Sequence, residues 1–159
     1  MFRGNHPARV DEKGRLKLPA EFKRQIDEQY AVQAGAPDQR AGRGVEFYIT
    51  SRDGKEAEIH PLPEWERFEQ KLAAVPSFNA AKKKLLKWLN YFGQQAEMDG
   101  QGRVLLPQIL RERAKLAGDV VVYGSETHLK VANREDYERE MQEAPMTDSD
   151  EQALAGFGL

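Results

Sequence analysis

Short segments that suit β-strands alternate along the chain with longer segments of helical period, and this order occurs twice. ARV and RLKL in the first half, and AEM and RVLL in the second, read as strands that precede an amphipathic stretch. A proline opens each of these stretches, as is common at the first helical position. The apolar sides of the two predicted helices consist of Phe22, Ile26 and Tyr30 in the first half and of Ile109, Leu110 and Leu116 in the second. Gly118 is expected to end the second helix.

Each half continues with two more strands and a closing helix. VEFYIT and AEIH in the first half, and DVVVYG and HLKVA in the second, have the composition of paired strands. The closing helices are predicted around Trp65 and around Tyr137, the latter with Asn133 as its N-cap. Between the halves, SFNAAKKKLLKWLNYF predicts a longer helix with a solvated lysine face. Its apolar side is formed by Phe78, Leu85, Leu89 and Phe92.

The two halves share a motif at a constant offset of 88 residues. DEKGRLKLP begins at Asp11 and DGQGRVLLP begins at Asp99, so that the acid, the glycine, the arginine, two apolar positions and the proline coincide. We therefore divide the chain into a first repeat over 1–76, a linking helix over 77–95, a second repeat over 96–143 and a mobile acidic tail over 144–159. A Gly-rich insertion around 34–44 lengthens the first repeat. Two copies are too few for a solenoid, which favours one pseudo-symmetric domain.

The shared motif suits a tight hairpin turn between short strands. Asp11 and Asp99 can accept hydrogen bonds from backbone N–H groups two residues on, and Gly14 and Gly102 supply the positive φ that closes such turns. An ion pair between Asp11 and Arg15 would stiffen the first turn. These aspartates and glycines are therefore predicted to form the two turns.

The first turn is expected to carry a basic prong, which consists of Lys13, Arg15 and Lys17. Because side chains alternate along a strand, Arg15 and Lys17 share the outer face if the leucines between them face the core. The corresponding positions of the second repeat are Gln101, Arg103 and Leu105. We infer that the first turn contacts a polyanion, and that the second is mainly structural or contacts a neighbouring subunit. The centre of the fold is predicted to contain Leu16, Leu18, Phe47, Ile49, Val104, Leu106, Val121 and Tyr123.

Charge is distributed unevenly along the chain. The net charge is −2, but residues 1–24 carry seven cations against three carboxylates and residues 130–159 carry three cations against eight carboxylates. An acidic protein with this distribution can still present a basic face to nucleic acid. Cysteine is absent and neither a signal peptide nor a membrane-spanning run occurs, which favours the cytoplasm.

An enzyme is the first alternative. His6, His60 and His128 are scattered without ligand spacing, and neither a P-loop nor a nucleophile elbow is present. The sequence therefore predicts no catalytic residues, metal, cofactor or small-molecule substrate.

MFRG at the start, DEKGRLKLP and DGQGRVLLPQILRERAKL together resemble the MraZ family of the AbrB/MazE-like superfamily, over roughly residues 1–143. The resemblance implies an α+β fold, a small double-split (swapped-hairpin-like) β-barrel of two pseudo-symmetric repeats decorated by helices. It also implies a DNA-binding repressor of the bacterial division and cell-wall gene cluster, nucleoid-associated, that assembles into a ring (octamer or dodecamer). Such a ring would bind short G-containing direct repeats upstream of its own operon. The expected DNA-binding residues are Arg15, Lys13, Lys17, Arg3 and Arg103.

A second alternative is a protein-interaction ring, either antitoxin-like or a scaffold. The superfamily includes antitoxins, which usually have a long tail that wraps a toxin. The tail here is short, and its large apolar residues after Met146 are Leu154, Phe157 and Leu159. Salt-sensitive binding to duplex DNA would separate the regulator from the interaction ring.

Overall fold

A computed structural model describes residues 1–31 and 44–159. Apart from Gly44, the Gly-rich insertion predicted around 34–44 lies outside the described residues. The strands are β1 (Asn5–Val10), β2 (Arg15–Lys17), β3 (Glu46–Thr50), β4 (Glu56–Pro61), β5 (Gln94–Glu97), β6 (Arg103–Leu105), β7 (Gly118–Ser125) and β8 (His128–Asn133). The helices are α1 (Ala20–Ile26), which continues into a π-helical turn (Asp27–Ala31), α2 (Leu62–Ala73), α3 (Ala80–Phe92), α4 (Gln108–Arg113), α5 (Arg134–Glu143) and α6 (Asp148–Ala155).

The strands form one antiparallel sheet in the order β5-β3-β4-β8-β7-β1-β2-β6. Its first and last strands, β5 and β6, are consecutive in the chain, and the Asp99 N–H closes the turn between them by donating to the Arg103 carbonyl at 2.9 Å. The sheet therefore curls into a nearly closed barrel that contains strands of both repeats. This confirms the predicted α+β double-split barrel.

The strands that follow the two motif turns, β2 and β6, are neighbours in the sheet. β2 and β6 pair antiparallel, with Leu16 opposite Val104. The Leu18 N–H donates to the Gly102 carbonyl at 2.9 Å, and the Leu106 N–H donates to the Gly14 carbonyl at 3.0 Å. Each motif strand thus extends onto the turn of the other repeat.

The barrel interior follows the sequence prediction except along β7. Six of the predicted residues belong to the core cluster, namely Leu16, Leu18, Phe47, Ile49, Val104 and Leu106. On β7, however, Val120 and Val122 face the core, and Tyr123 is only half-buried. The prediction of Val121 and Tyr123 was wrong by one register step. Because α5 packs outside β7, where the Tyr123 and Tyr137 rings are 5.4 Å apart, β7 is apolar on both faces and shows no alternation.

Several helix predictions need correction. α4 ends at Arg113, and Gly118 (φ +70°) starts β7 instead of capping the helix. Ile109 is 46% exposed and Phe78 is 81% exposed, so neither belongs to an apolar side. The tail contains α6, which a capping box between Thr147 and Asp150 starts. The linking helix, by contrast, forms as α3 with Leu89 and Phe92 buried.

Candidate nucleic-acid interface

The first motif turn is held by its own aspartate. Asp11 Oδ1 accepts from the backbone N–H groups of Lys13 at 3.0 Å and Arg15 at 2.9 Å. Asp11 Oδ2 accepts from Arg15 Nε at 2.8 Å, and Gly14 adopts φ +82°. Hydrogen bonds from the Arg15 backbone and side chain and from the Lys13 backbone hold the pKa of the Asp11 carboxyl below its usual value, in spite of a desolvation penalty. The predicted turn and its Asp–Arg pair are therefore present.

The second turn repeats this geometry. Asp99 Oδ1 accepts from the backbone N–H groups of Gln101 and Arg103, both at 2.9 Å, and Asp99 Oδ2 accepts from Arg103 Nε at 2.8 Å. Gly102 adopts φ +76°. The same contacts, above all the backbone N–H of Arg103, keep the pKa of Asp99 below its usual value. Both motif arginines are thus tethered in the same way.

The hydrogen bond from Nε to the aspartate fixes each arginine side chain and leaves its two terminal nitrogens available to a ligand. Among the described residues, the hydrogen bonds of the Arg15 and Arg103 side chains use Nε alone. The two terminal nitrogens, Nη1 and Nη2, lie at the end of side chains that are 31% exposed for Arg15 and 26% for Arg103. A guanidinium held in this way can donate two parallel hydrogen bonds to an acceptor pair.

The two turns contribute to one surface rather than to two. In the β2–β6 register, Arg15 is opposite Leu105 and Lys17 is opposite Arg103. Directly opposed residues point to the same side, and the Leu16–Val104 pair between them faces the core. The outer side of this two-stranded ribbon therefore carries two arginines and a lysine. We call it the basic ribbon face: Lys13, Arg15, Lys17, Arg103 and the exposed Leu105.

Arg3 lies elsewhere. It precedes β1, while the first turn follows β1, and a strand of six residues spans roughly 20 Å. The neighbouring Phe2 pairs with Glu126 beyond β7. The structure therefore does not bring Arg3 next to the other predicted DNA-binding residues.

The sequence analysis did not single out two cations that cover the turns. A Cβ on Gly14 would lie 2.3 Å from Arg111 Cζ, and a Cβ on Gly102 would lie 2.8 Å from Lys23 Cδ. Lys23 and Arg111 are 88 residues apart, the offset of the repeat, and this signal could have identified them. Each repeat thus places the helix after its own motif over the turn of the other repeat.

The three histidines are not all scattered, contrary to the sequence analysis. His6 packs edge-on against Phe22, with ring centroids 5.0 Å apart. His60 and His128 stack on each other at 4.2 Å, and both approach Glu58. A spacing of 68 residues hid this pair, because strand pairing alone brings the two together.

Among the described residues, no helix has the length and apolar character required to cross a membrane.

The fold defines a class, the small double-split β-barrel proteins, and in this chain the paired strands β2 and β6 carry the basic ribbon face. A family model described as "MraZ protein, putative antitoxin-like" matches residues 1–87 and 93–157. The chain belongs to the MraZ family. Among its relatives, the "Transcriptional regulator MraZ" of Acidobacterium capsulatum is 62% identical and that of Koribacter versatilis is 50% identical, each over the full length of both chains. The protein of the same name from Limosilactobacillus fermentum is 32% identical over 99% of this chain and 96% of its own.

Proposed function

We propose that this chain is a sequence-specific DNA-binding repressor whose basic ribbon face enters the major groove. The observation that supports this proposal is the pair of tethered arginines on the outer side of the paired strands β2 and β6. The major groove admits a two-stranded β-ribbon, and its base edges differ for every base pair. A ribbon of this kind can therefore read sequence through its outward side chains.

Arg15 is assigned the main base contact. Its free Nη1 and Nη2 atoms match the O6 and N7 acceptors of guanine, the commonest specific arginine contact. Lys13 and Lys17 flank Arg15 and neutralise phosphates, and Arg103 supports the contact from the neighbouring strand. Arg3 is assigned a phosphate beyond the ribbon, because it lies at the other end of β1.

One protomer provides little electrostatic affinity. Asp11 and Asp99 offset two of the four positive charges of the basic ribbon face, and Glu12 lies at the tip of the first turn. Because phosphate neutralisation supplies most non-specific affinity, several protomers must act together. We propose a homo-oligomeric ring, an octamer or a dodecamer, that presents several of these faces to short G-containing direct repeats about one helical turn apart.

The proposed targets lie upstream of the protein's own operon, in the division and cell-wall gene cluster, which places the protein on the nucleoid in the cytoplasm. A gel shift with duplex DNA from upstream of its own gene tests this proposal. We expect a discrete complex that a scrambled duplex of equal length does not compete away and that weakens as salt is raised. Equal binding to both duplexes would contradict sequence-specific recognition, and no binding to either duplex would favour the antitoxin-like or scaffold ring.

A further inference from the structure

A buried polar cluster lies on the outer side of β4 and β8, away from the basic ribbon face. Glu58 and His60 are two residues apart on β4 and so share a face, and the pairing of Ile59 with Leu129 brings His128 beside His60. α2 covers this face, with the Trp65 ring 4.9 Å from the His60 ring. The side chains of Glu58, His60 and His128 are only 7%, 8% and 17% exposed.

Two donor atoms of this cluster have no hydrogen-bond partner among the described residues. They are the Nε2 atoms of His60 and His128, and both are buried. They lie 3.3 Å and 3.4 Å from the same carboxylate oxygen, Glu58 Oε1. A buried nitrogen without a partner costs free energy, so the three converging atoms favour a bound cation at their centre.

We propose that Glu58, His60 and His128 bind one divalent transition-metal ion, with zinc as the best match. Two imidazole nitrogens and one carboxylate oxygen are a common donor set for zinc. With metal–ligand bonds of about 2.0–2.1 Å, the edge of a tetrahedron is about 3.3 Å, which agrees with the two measured distances to Glu58 Oε1. The two rings stack 21° from parallel, so their planes do not meet at one ion as they stand. Binding therefore requires each ring to rotate about its soft χ2 torsion until its Nε2 lone pair points at the ion.

The residues around the cluster support this arrangement. Arg52 Nε lies 3.8 Å from Glu58 Oε2, the oxygen that faces away from the histidines, which leaves Oε1 directed at both Nε2 atoms. The Arg52 guanidinium is itself held over the Phe68 ring of α2, at 5.2 Å. Such outer contacts orient a ligating carboxylate.

The site joins the two repeats. Glu58 and His60 belong to the first repeat and His128 belongs to the second, so a bound ion would cross-link β4 to β8 beneath α2. An ion that binds the folded protein and not the unfolded chain raises the free energy of unfolding. The proposed site therefore adjusts the stability of the barrel, independently of DNA.

Co2+ is the probe of choice, because its visible absorption reports coordination directly. The untagged, metal-stripped full chain should bind one Co2+ per chain with a d–d band that Zn2+ displaces, and Zn2+ should raise the melting temperature. H60Q and H128Q should each lower Co2+ affinity at least 100-fold. E58Q, which preserves volume, should shift the band by removing the anionic ligand.

H6Q is the matched control, since His6 lies outside the cluster, and it should bind Co2+ as the wild-type protein does. Circular dichroism establishes that each variant is folded. The proposal is overturned if the folded wild-type protein binds no Co2+ at micromolar concentration. It is equally overturned if H60Q and H128Q bind as tightly as H6Q.

Discussion

At the scale of single residues, the proposed recognition of DNA depends on the tethered arginine. The aspartate of each turn binds Nε, so Nη1 and Nη2 are oriented before DNA arrives. Less side-chain entropy is lost on binding when a side chain is already held in place. The aspartate thus positions the arginine, and its negative charge offsets the positive charge of the guanidinium.

The first prediction concerns the relative importance of the two arginines. R15A should lose roughly 1–3 kcal/mol of discrimination for the cognate site, whereas R103A should lose less, because Lys13 of the turn and Lys17 of β2 flank Arg15. Fluorescence anisotropy with cognate and scrambled duplexes measures both. R67A removes an exposed arginine of α2, far from the ribbon, and serves as the control. A larger loss for R103A in an intact assembly would reverse the assignment of the two repeats.

The second prediction separates orientation from charge. In D11N, one amide oxygen can still accept the backbone N–H groups, but the amide nitrogen cannot accept from Arg15 Nε. Removal of a negative charge should strengthen binding to scrambled DNA, while the released Arg15 should lower the ratio of cognate to scrambled affinity. The same titrations, repeated with D99N as the matched variant, measure both quantities. If D11N strengthened cognate and scrambled binding equally, the tether would have no role in recognition.

At the scale of elements, each turn is enclosed by the helix of the other repeat. Gly14 lies under Arg111 of α4, and Gly102 lies under Lys23 of α1. The turn, the ribbon and the two helices after it therefore form one interlocked unit. The close approach of these side chains adds to the positive φ that already favours glycine at each turn.

The third prediction tests that enclosure through the stability of the protein. G14A places a Cβ at φ +82° and 2.3 Å from Arg111 Cζ, so both strain and a clash oppose it. G118A is the control, since a Cβ there meets nothing within 4 Å at φ +70° and reports strain alone, about 1–2 kcal/mol. Urea unfolding should show a larger loss for G14A than for G118A. R111A alone loses the hydrogen bond from Arg111 Nε to the Leu106 carbonyl, so G14A/R111A is compared with R111A and should lose no more than G118A loses from the wild-type protein. Equal losses in G14A and G118A would show that Arg111 moves aside freely.

At the scale of the whole molecule, a chain of net charge −2 must concentrate its cations to bind DNA. The acidic α5 and α6 belong to the C-terminal part of the chain, and the basic ribbon face is formed by β2 and β6. In a ring, the basic faces have to point towards the duplex and the acidic helices away from it, because like charges would otherwise repel the phosphates.

The fourth prediction follows from this requirement. The protein should be oligomeric at working concentration, and its affinity should fall steeply with salt, because the slope grows with the number of phosphates contacted. Deletion of one of three direct repeats should weaken binding at least tenfold. An insertion of five base pairs between repeats, which is half a helical turn, should weaken binding similarly. An insertion of ten base pairs, which is a full turn, should weaken binding less. Light scattering and gel shifts measure these effects. A monomer that binds one repeat as tightly as three would contradict the mechanism.

Much of the fold was predictable because it depends on local interactions. The aspartate, glycine and arginine of each turn contact one another within five residues, and the Asn133 cap binds a backbone group three residues on. The family resemblance rested on the same motifs. The phase of β7 could not be predicted, since three consecutive valines lie on a strand that is buried on both faces.

The sequence by itself determined the duplicated turn, the charge that it carries and the order of strands and helices up to α5. Only the tertiary structure decided that β2 pairs with β6, so that Arg103 lies beside Lys17 instead of on a separate turn. It also decided that Glu58, His60 and His128 converge. Both outcomes depend on strand pairs between residues about 70 to 90 positions apart. Those pairs form because closing the barrel satisfies the backbone hydrogen bonds of its edge strands, a condition that no short stretch of sequence expresses.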